Sequence, residues 1–158
     1  MPKGVFPEVG ARIMDLQEPT IKMSTTGKNP QGTVLMLDPP DTIRKKFKTA
    51  VTDSGREIRY APGEKPGVSN LIEILSVFSG RPIAEVEADY DGRGYGDLKG
   101  DVGEAVVELF APIQARYAEL RADEGELRRL LQVGAEKARE TTAPTLAAMY
   151  ERMGFVRP

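Results

Sequence analysis

The 158-residue sequence contains no cysteine and no histidine. Without cysteine there are no disulfides, no thiol nucleophile and no Cys-type zinc site. Without histidine the usual general base and the commonest metal ligand are missing, so Ser-His-Asp, Cys-His and His-metal mechanisms are excluded together. Any chemistry has to rest on lysine, arginine, carboxylates, hydroxyls and backbone groups. Aromatic residues are scarce at 6%, and reading unstacked RNA bases needs exposed ones. No apolar run approaches the ~18 residues that span a bilayer, and residues 1–10 lack the apolar core of a secretory signal. The expectation is a cytoplasmic protein with no membrane partner.

What is present describes a folded domain. Apolar residues make up 40% and charged residues 29%, ordinary for a globular protein and too apolar for a disordered chain. The length fits one domain, or one small domain with a piece of another attached. A net charge of -2 says nothing for polyanions by itself, yet residues 41–60 carry six basic side chains against three acidic ones.

The first forty residues differ from the rest. Pro and Gly recur, and the short apolar runs at 11–16 and 33–37 suit brief strands joined by loops. From Asp41 the spacing turns helical. Asp41 is placed to cap a helix carrying Ile43, Phe47 and Val51 on one face, with Lys45, Lys46 and Lys48 elsewhere on the surface and residues 52–55 as its stop. Leu71, Ile72, Leu75 and Phe78 predict a second helix ending at Gly80. Pro82 opens a short third helix with Ile83 and Val86. A long helix is predicted from near Asp97 through Leu98, Val102, Ala105, Leu109, Ile113 and Leu120, bent at Pro112. A last one runs from Glu124 to Met153, with Pro144 as a kink or break and Gly154 as its stop. The fold class expected is mainly α, a helical bundle behind a short N-terminal strand-and-loop extension.

The segment Lys22-Met23-Ser24-Thr25-Thr26-Gly27-Lys28-Asn29-Pro30 has no periodicity to bury it. Its lysines, hydroxyls and backbone donors suit an anionic ligand, although a solvated surface loop has the same composition. Arg44, Lys45, Lys46 and Lys48 read either as contacts to an RNA backbone or as a solvated helix face. Tyr60, Tyr90 and Tyr95 read as packing rather than stacking platforms. Gly92-Arg93-Gly94-Tyr95-Gly96 has no strand before it, so a helix-entry turn is preferred to a phosphate loop. Glu104, Glu108, Glu119, Glu124 and Glu126 suggest exposed helix faces with occasional ion pairs, and no metal site is expected.

Read as a string, residues 11–20, then Lys22-Met23-Ser24 and Asn29-Pro30, resemble the stretch around the KMSKS signature of class I aminoacyl-tRNA synthetases, in the bacterial tryptophanyl branch. The likeness continues through Lys45-Lys46, residues 50–54, 65–71, Gly94-Tyr95-Gly96-Asp97-Leu98-Lys99 and residues 134–139. Several blocks in the same order extend it over essentially the whole chain.

The resemblance implies a C-terminal part of such an enzyme: 1–40 as the end of the nucleotide-binding Rossmann domain with its signature loop, and 41–158 as the helical tRNA anticodon-binding domain. It implies Lys22 as the catalytic lysine and Ile13, Lys22, Met23, Ser24, Thr25 and Thr26 as the ATP-binding set, with the backbone at Ile13 and Met23 against the adenine. It implies tRNA(Trp) and ATP with Mg2+ as partners in the full-length enzyme, and tryptophan only together with an N-terminal half. The full-length family is homodimeric, and a monomer is expected here. Two departures stand out. Thr25 and Thr26 replace the fourth and fifth residues of the signature, a lysine and a serine, so one cation is lost unless Lys28 takes its place. A chain without histidine also cannot hold the usual HIGH-type motif, so inactivity alone is expected. Two alternatives remain: a non-catalytic RNA-binding or regulatory module derived from that domain, and a helical protein-interaction domain with no RNA role.

Overall fold

The protein is described by a computed structural model covering residues 3–27 and 29–156; Lys28 lies outside the described residues. It is mostly helical, as expected, with five α-helices among the described residues: α1 (Pro40–Lys48), α2 (Pro66–Ser79), α3 (Ile83–Asp89), α4 (Tyr95–Ala122) and α5 (Glu124–Met153). Among the described residues no helix is long and apolar enough to cross a membrane.

Two compact units divide the chain, Met1–Gln114 and Ala115–Pro158. The first holds the core. Leu16 of the N-terminal segment, Ile43 and Phe47 of α1, Val68, Leu71, Ile72 and Ile74 of α2, Val86 of α3, and Leu98, Val102 and Val106 of α4 form one buried cluster. Each of these side chains contributes about 1.5–3 kcal/mol on leaving water. Helix α2 is the central element, opened by Pro66 at its first position and closed by Gly80, whose φ of 69° lies in the left-handed region. Leu16, ahead of the helices in the chain, shares this core with α1 and α2.

In the second unit α5 is capped at its start by Asp123, whose carboxylate accepts the Glu126 amide, and at its end by Gly154 with φ 72°. It runs unbroken through Pro144, as α4 runs through Pro112. Among its described residues α5 buries none.

Several local expectations are corrected or refined. Residues 11–16 and 33–37 form no strands; the only β pairing among the described residues is an isolated antiparallel bridge between Met14 and Lys22. Side chains take the groups a ladder would need: Lys46 holds the Thr33 carbonyl, Asp38 accepts the Leu35 amide, and Gln114 donates to the Met36 carbonyl. Asp41 is not the cap of α1, which starts one residue earlier behind Pro39 with no side-chain cap. That helix also stops at Thr49, so Val51 lies beyond it, 44% exposed, its amide donating to the Leu16 carbonyl. Pro82 precedes α3 as its cap residue, and α4 starts at Tyr95, two residues before Asp97.

Candidate functional site

The loop at residue 22 is built on a tight turn. Across the Met14–Lys22 bridge, the Asp15 amide donates to the Ile21 carbonyl at 2.9 Å and the Met23 amide to the Ile13 carbonyl at 3.0 Å. The backbones of Ile13 and Met23 therefore lie side by side. Buried Asp15 closes the turn, its Oδ1 accepting the Gln17 and Glu18 amides at 2.8 and 3.0 Å, the self-capping for which Asp is favoured in turns. From α2, buried Asn70 grips Met14 on both backbone groups, accepting its amide at 2.8 Å and donating to its carbonyl at 2.9 Å. A side-chain amide used this way stands in for a neighbouring strand.

Beyond the bridge the chain opens to solvent. Lys22, Ser24, Thr25, Thr26 and Gly27 are exposed and Met23 is half-buried against the core. Ser24 organises the loop: its carbonyl accepts the Gly27 amide at 3.0 Å and the Thr33 hydroxyl at 2.8 Å, and its own hydroxyl lies 3.0 Å from that of Thr26. Lys22 makes no ion pair among the described residues. A short hydroxyl-lined loop led by an exposed ammonium offers donors and positive charge, and no carboxylate, to a ligand.

The basic residues of α1 separate in space. Lys46 is not on the surface: it is 6% exposed, with Nζ 2.7 Å from the Thr33 carbonyl and 2.6 Å from Asp38 Oδ2. The spacing Ile43, Lys46, Phe47, Ala50 follows the i, i+3, i+4, i+7 stripe, and that register was the signal for its burial. Arg44 is exposed but occupied. Its Nε and Nη2 hold both oxygens of Glu104 at 2.7 and 3.0 Å, and Nη1 holds Asp41 at 3.0 Å. These partners raise the Arg44 pKa, and Arg44 in turn lowers that of Glu104. Lys45 and Lys48 are exposed.

The tyrosines pack. Tyr90 is 5% exposed, donates to Asp101 at 2.7 Å and lies under the Arg93 guanidinium, 4.6 Å from its ring centre; burial and the Asp101 carboxylate push its hydroxyl well up. Tyr95 donates to Asp53 at 2.8 Å beside Lys65. Tyr60 is half-buried. The glycine stretch is a helix-entry turn, with Gly92 at φ 75° and Arg93 paired to Asp101 at 3.1 Å. Glu104, Glu119 and Glu126 each pair with an arginine. Sequence reasoning gave no role to Asp15, Thr33, Asp38 or Asn70, the side chains that fix the loop from below, although Asp15, Thr33 and Asn70 stood inside stretches it singled out.

Residues 2–111 match the model of the family described as tRNA synthetases class I (W and Y). The chain belongs to this family. A tryptophan–tRNA ligase of Corynebacterium glutamicum is 45% identical over 156 residues, which is 99% of this chain and 45% of that protein. The crystal structure of tryptophanyl-tRNA synthetase from Mycoplasma pneumoniae superposes with a TM-score of 0.86 at 33% identity, covering 95% of this chain and 45% of that one. That from Campylobacter jejuni, complexed with ADP and tryptophan, gives 0.65 at 27% identity over 98% of this chain and 47% of that one. The chain thus spans about half the length of the relatives it matches. The synthetase resemblance seen in the signature blocks is met, in the tryptophanyl branch.

Proposed function

We propose that the chain is the nucleotide-loop and RNA-binding part of a tryptophan–tRNA ligase, with 1–40 completing the nucleotide-binding fold and 41–158 serving as the helical anticodon-binding domain. The observation that carries this reading is the exposed Lys22 at the head of a hydroxyl loop whose base is pinned by the Met14–Lys22 bridge. In the reaction the carboxylate of tryptophan attacks the α-phosphate of ATP and pyrophosphate leaves. Lys22 supplies a placed positive charge to the phosphates as negative charge builds there. Ser24, Thr25 and Thr26 offer hydroxyl donors. The paired backbones of Ile13 and Met23 form the edge for the adenine. With cations and hydroxyls but no carboxylates, the loop fits phosphate oxygens, and Mg2+ enters with the triphosphate.

The chain alone is expected to lack tryptophan-dependent ATP–pyrophosphate exchange, because its sequence has no histidine for a HIGH-type motif. Adding the separately expressed N-terminal half of a tryptophanyl-tRNA synthetase should restore exchange. Exchange by the chain alone would refute the first statement, and none in the mixture would refute the ligase assignment. The replacement of a signature lysine by Thr25 favours a second reading, a non-catalytic RNA-binding module. Retained tRNA binding without exchange in the mixture would select it.

A further inference from the structure

We propose that the cleft between α1 and the first turns of α4 is a subsite for RNA backbone phosphate, held by Lys48 and Lys99. The inference rests on the reading that the chain binds RNA. The two helices nearly touch at Gly103, where an added Cβ would lie 3.5 Å from Phe47 Cβ and 3.7 Å from Arg44 Cα. Toward the start of α4 the same contact opens, because Cβ atoms at Gly100 and Gly96 would meet nothing within 4 Å. The result is a cleft of about 240 Å³ lined by Arg44, Lys48, Gly96, Lys99, Gly100 and Glu104.

Its charge is unbalanced. Glu104 is the one carboxylate in the lining, and Arg44 already grips both its oxygens. Lys48 and Lys99 have no ion pair among the described residues. Their neighbours are served elsewhere: Asp97 and Asp101 of α4 both pair with Arg93. Lys99 is half-buried, and burial alone lowers the pKa of its ammonium. A partly desolvated cation with no counter-charge is unfavourable until an anion from outside completes it. Lysine, a compact charge with three donors, suits the tetrahedral oxygens of phosphate. The bare glycine edge lets a sugar-phosphate chain approach both ammonium groups. Lys99 was given no role by sequence pattern, and of the four basic residues of α1 only Lys48 is both unpaired and in the cleft.

The test is anisotropy binding of the 158-residue chain to a tRNA(Trp) transcript across a salt series, with K48Q, K99Q, K99R and the exposed control K3Q. Each phosphate contact contributes about 0.7–0.9 to the slope of log affinity against log salt, which at ~50 mM salt is roughly a tenfold change. K48Q and K99Q are each expected to lose about that much affinity and slope, K99R to recover most of it, and K3Q to match the wild type. Lys48 is exposed, so K48Q reports even if K99Q melts early. If the wild-type chain binds no tRNA at low salt, the RNA-binding reading fails and takes the subsite with it. If it binds tRNA and K48Q and K99Q keep its slope, or K3Q loses as much, only the subsite fails. Competition by a polyglutamate peptide, lost in K99Q while tRNA binding is kept, would reassign the cleft to an acidic protein partner and overturn the RNA proposal.

Discussion

Replacing Lys46 by methionine keeps the stem of the side chain and deletes its charge. The ammonium sits between the Thr33 carbonyl and Asp38 Oδ2, with the two side chains only 7% and 13% exposed. Breaking a buried pair by removing one partner costs about 3–5 kcal/mol, because the remaining charge is left uncompensated. Asp38 keeps the Leu35 amide as a donor, which puts K46M at the lower end, about 3 kcal/mol. That is a large share of a total stability of roughly 5–15 kcal/mol. At about 2–4 °C per kcal/mol for a chain of this size, the midpoint should fall by roughly 6–12 °C in a circular dichroism melt. The double variant K46M/D38N removes the orphan charge as well, so it should lose less than the sum of K46M and D38N. A local effect should accompany the global one. Thr33 holds Ser24 through its hydroxyl, so limited proteolysis between residues 24 and 33 should quicken in K46M at temperatures where the chain is still folded. A K46M midpoint within about 2 °C of wild type, or a double variant as unstable as the sum of the singles, would show that the pair is not coupled and that the loop is not held from α1.

Gly32→Ala would drive a methyl group into the buried Asp15 carboxylate, so a loss of about 1–3 kcal/mol or more is expected in urea unfolding; an unchanged midpoint would mean that the turn relaxes freely. In the complemented enzyme, Lys22→Gln should lower the rate of pyrophosphate exchange by about 10²- to 10³-fold with little change in the KM for tryptophan, and Thr25→Lys should raise it. A rate unaffected by Lys22→Gln would remove the lysine from the chemistry. For Asp53, burial pushes the carboxyl pKa up, but the Tyr95 hydroxyl, the Gly55 amide and the Lys65 ammonium outweigh it and hold it below its usual 3.8. A lowered folded-state value means stability that is complete above the unfolded value and lost as pH falls through the folded one. Acid unfolding below about pH 4 should therefore be steeper for wild type than for D53N; equal slopes would mean that Asp53 is not held by its partners.

Composition and spacing determined a good deal unaided. The lack of cysteine and histidine narrowed the possible chemistry, apolar periodicity located all five helices, and the run from residue 11 to Pro30 carried the family. These features are local in the chain, and a local signal needs no knowledge of what lies across the core. Ends were less legible: α1 stops at Thr49 because the Val51 amide is drawn to the Leu16 carbonyl, 35 positions away. The run at 33–37 looks like a strand, yet its backbone is satisfied by Lys46, Asp38 and Gln114, and no pattern within five residues announces that. Tertiary structure alone sorted the basic residues. Lys46 became a buried tie because Ile43 and Phe47 turn its face of α1 inward, Arg44 was claimed by Glu104 from sixty residues on, and Lys48 met Lys99 across a gap that two glycines leave open. Charge is written in the sequence, but whether a charge reaches solvent, a partner or a ligand depends on which groups the packed helices bring within a few ångströms of it.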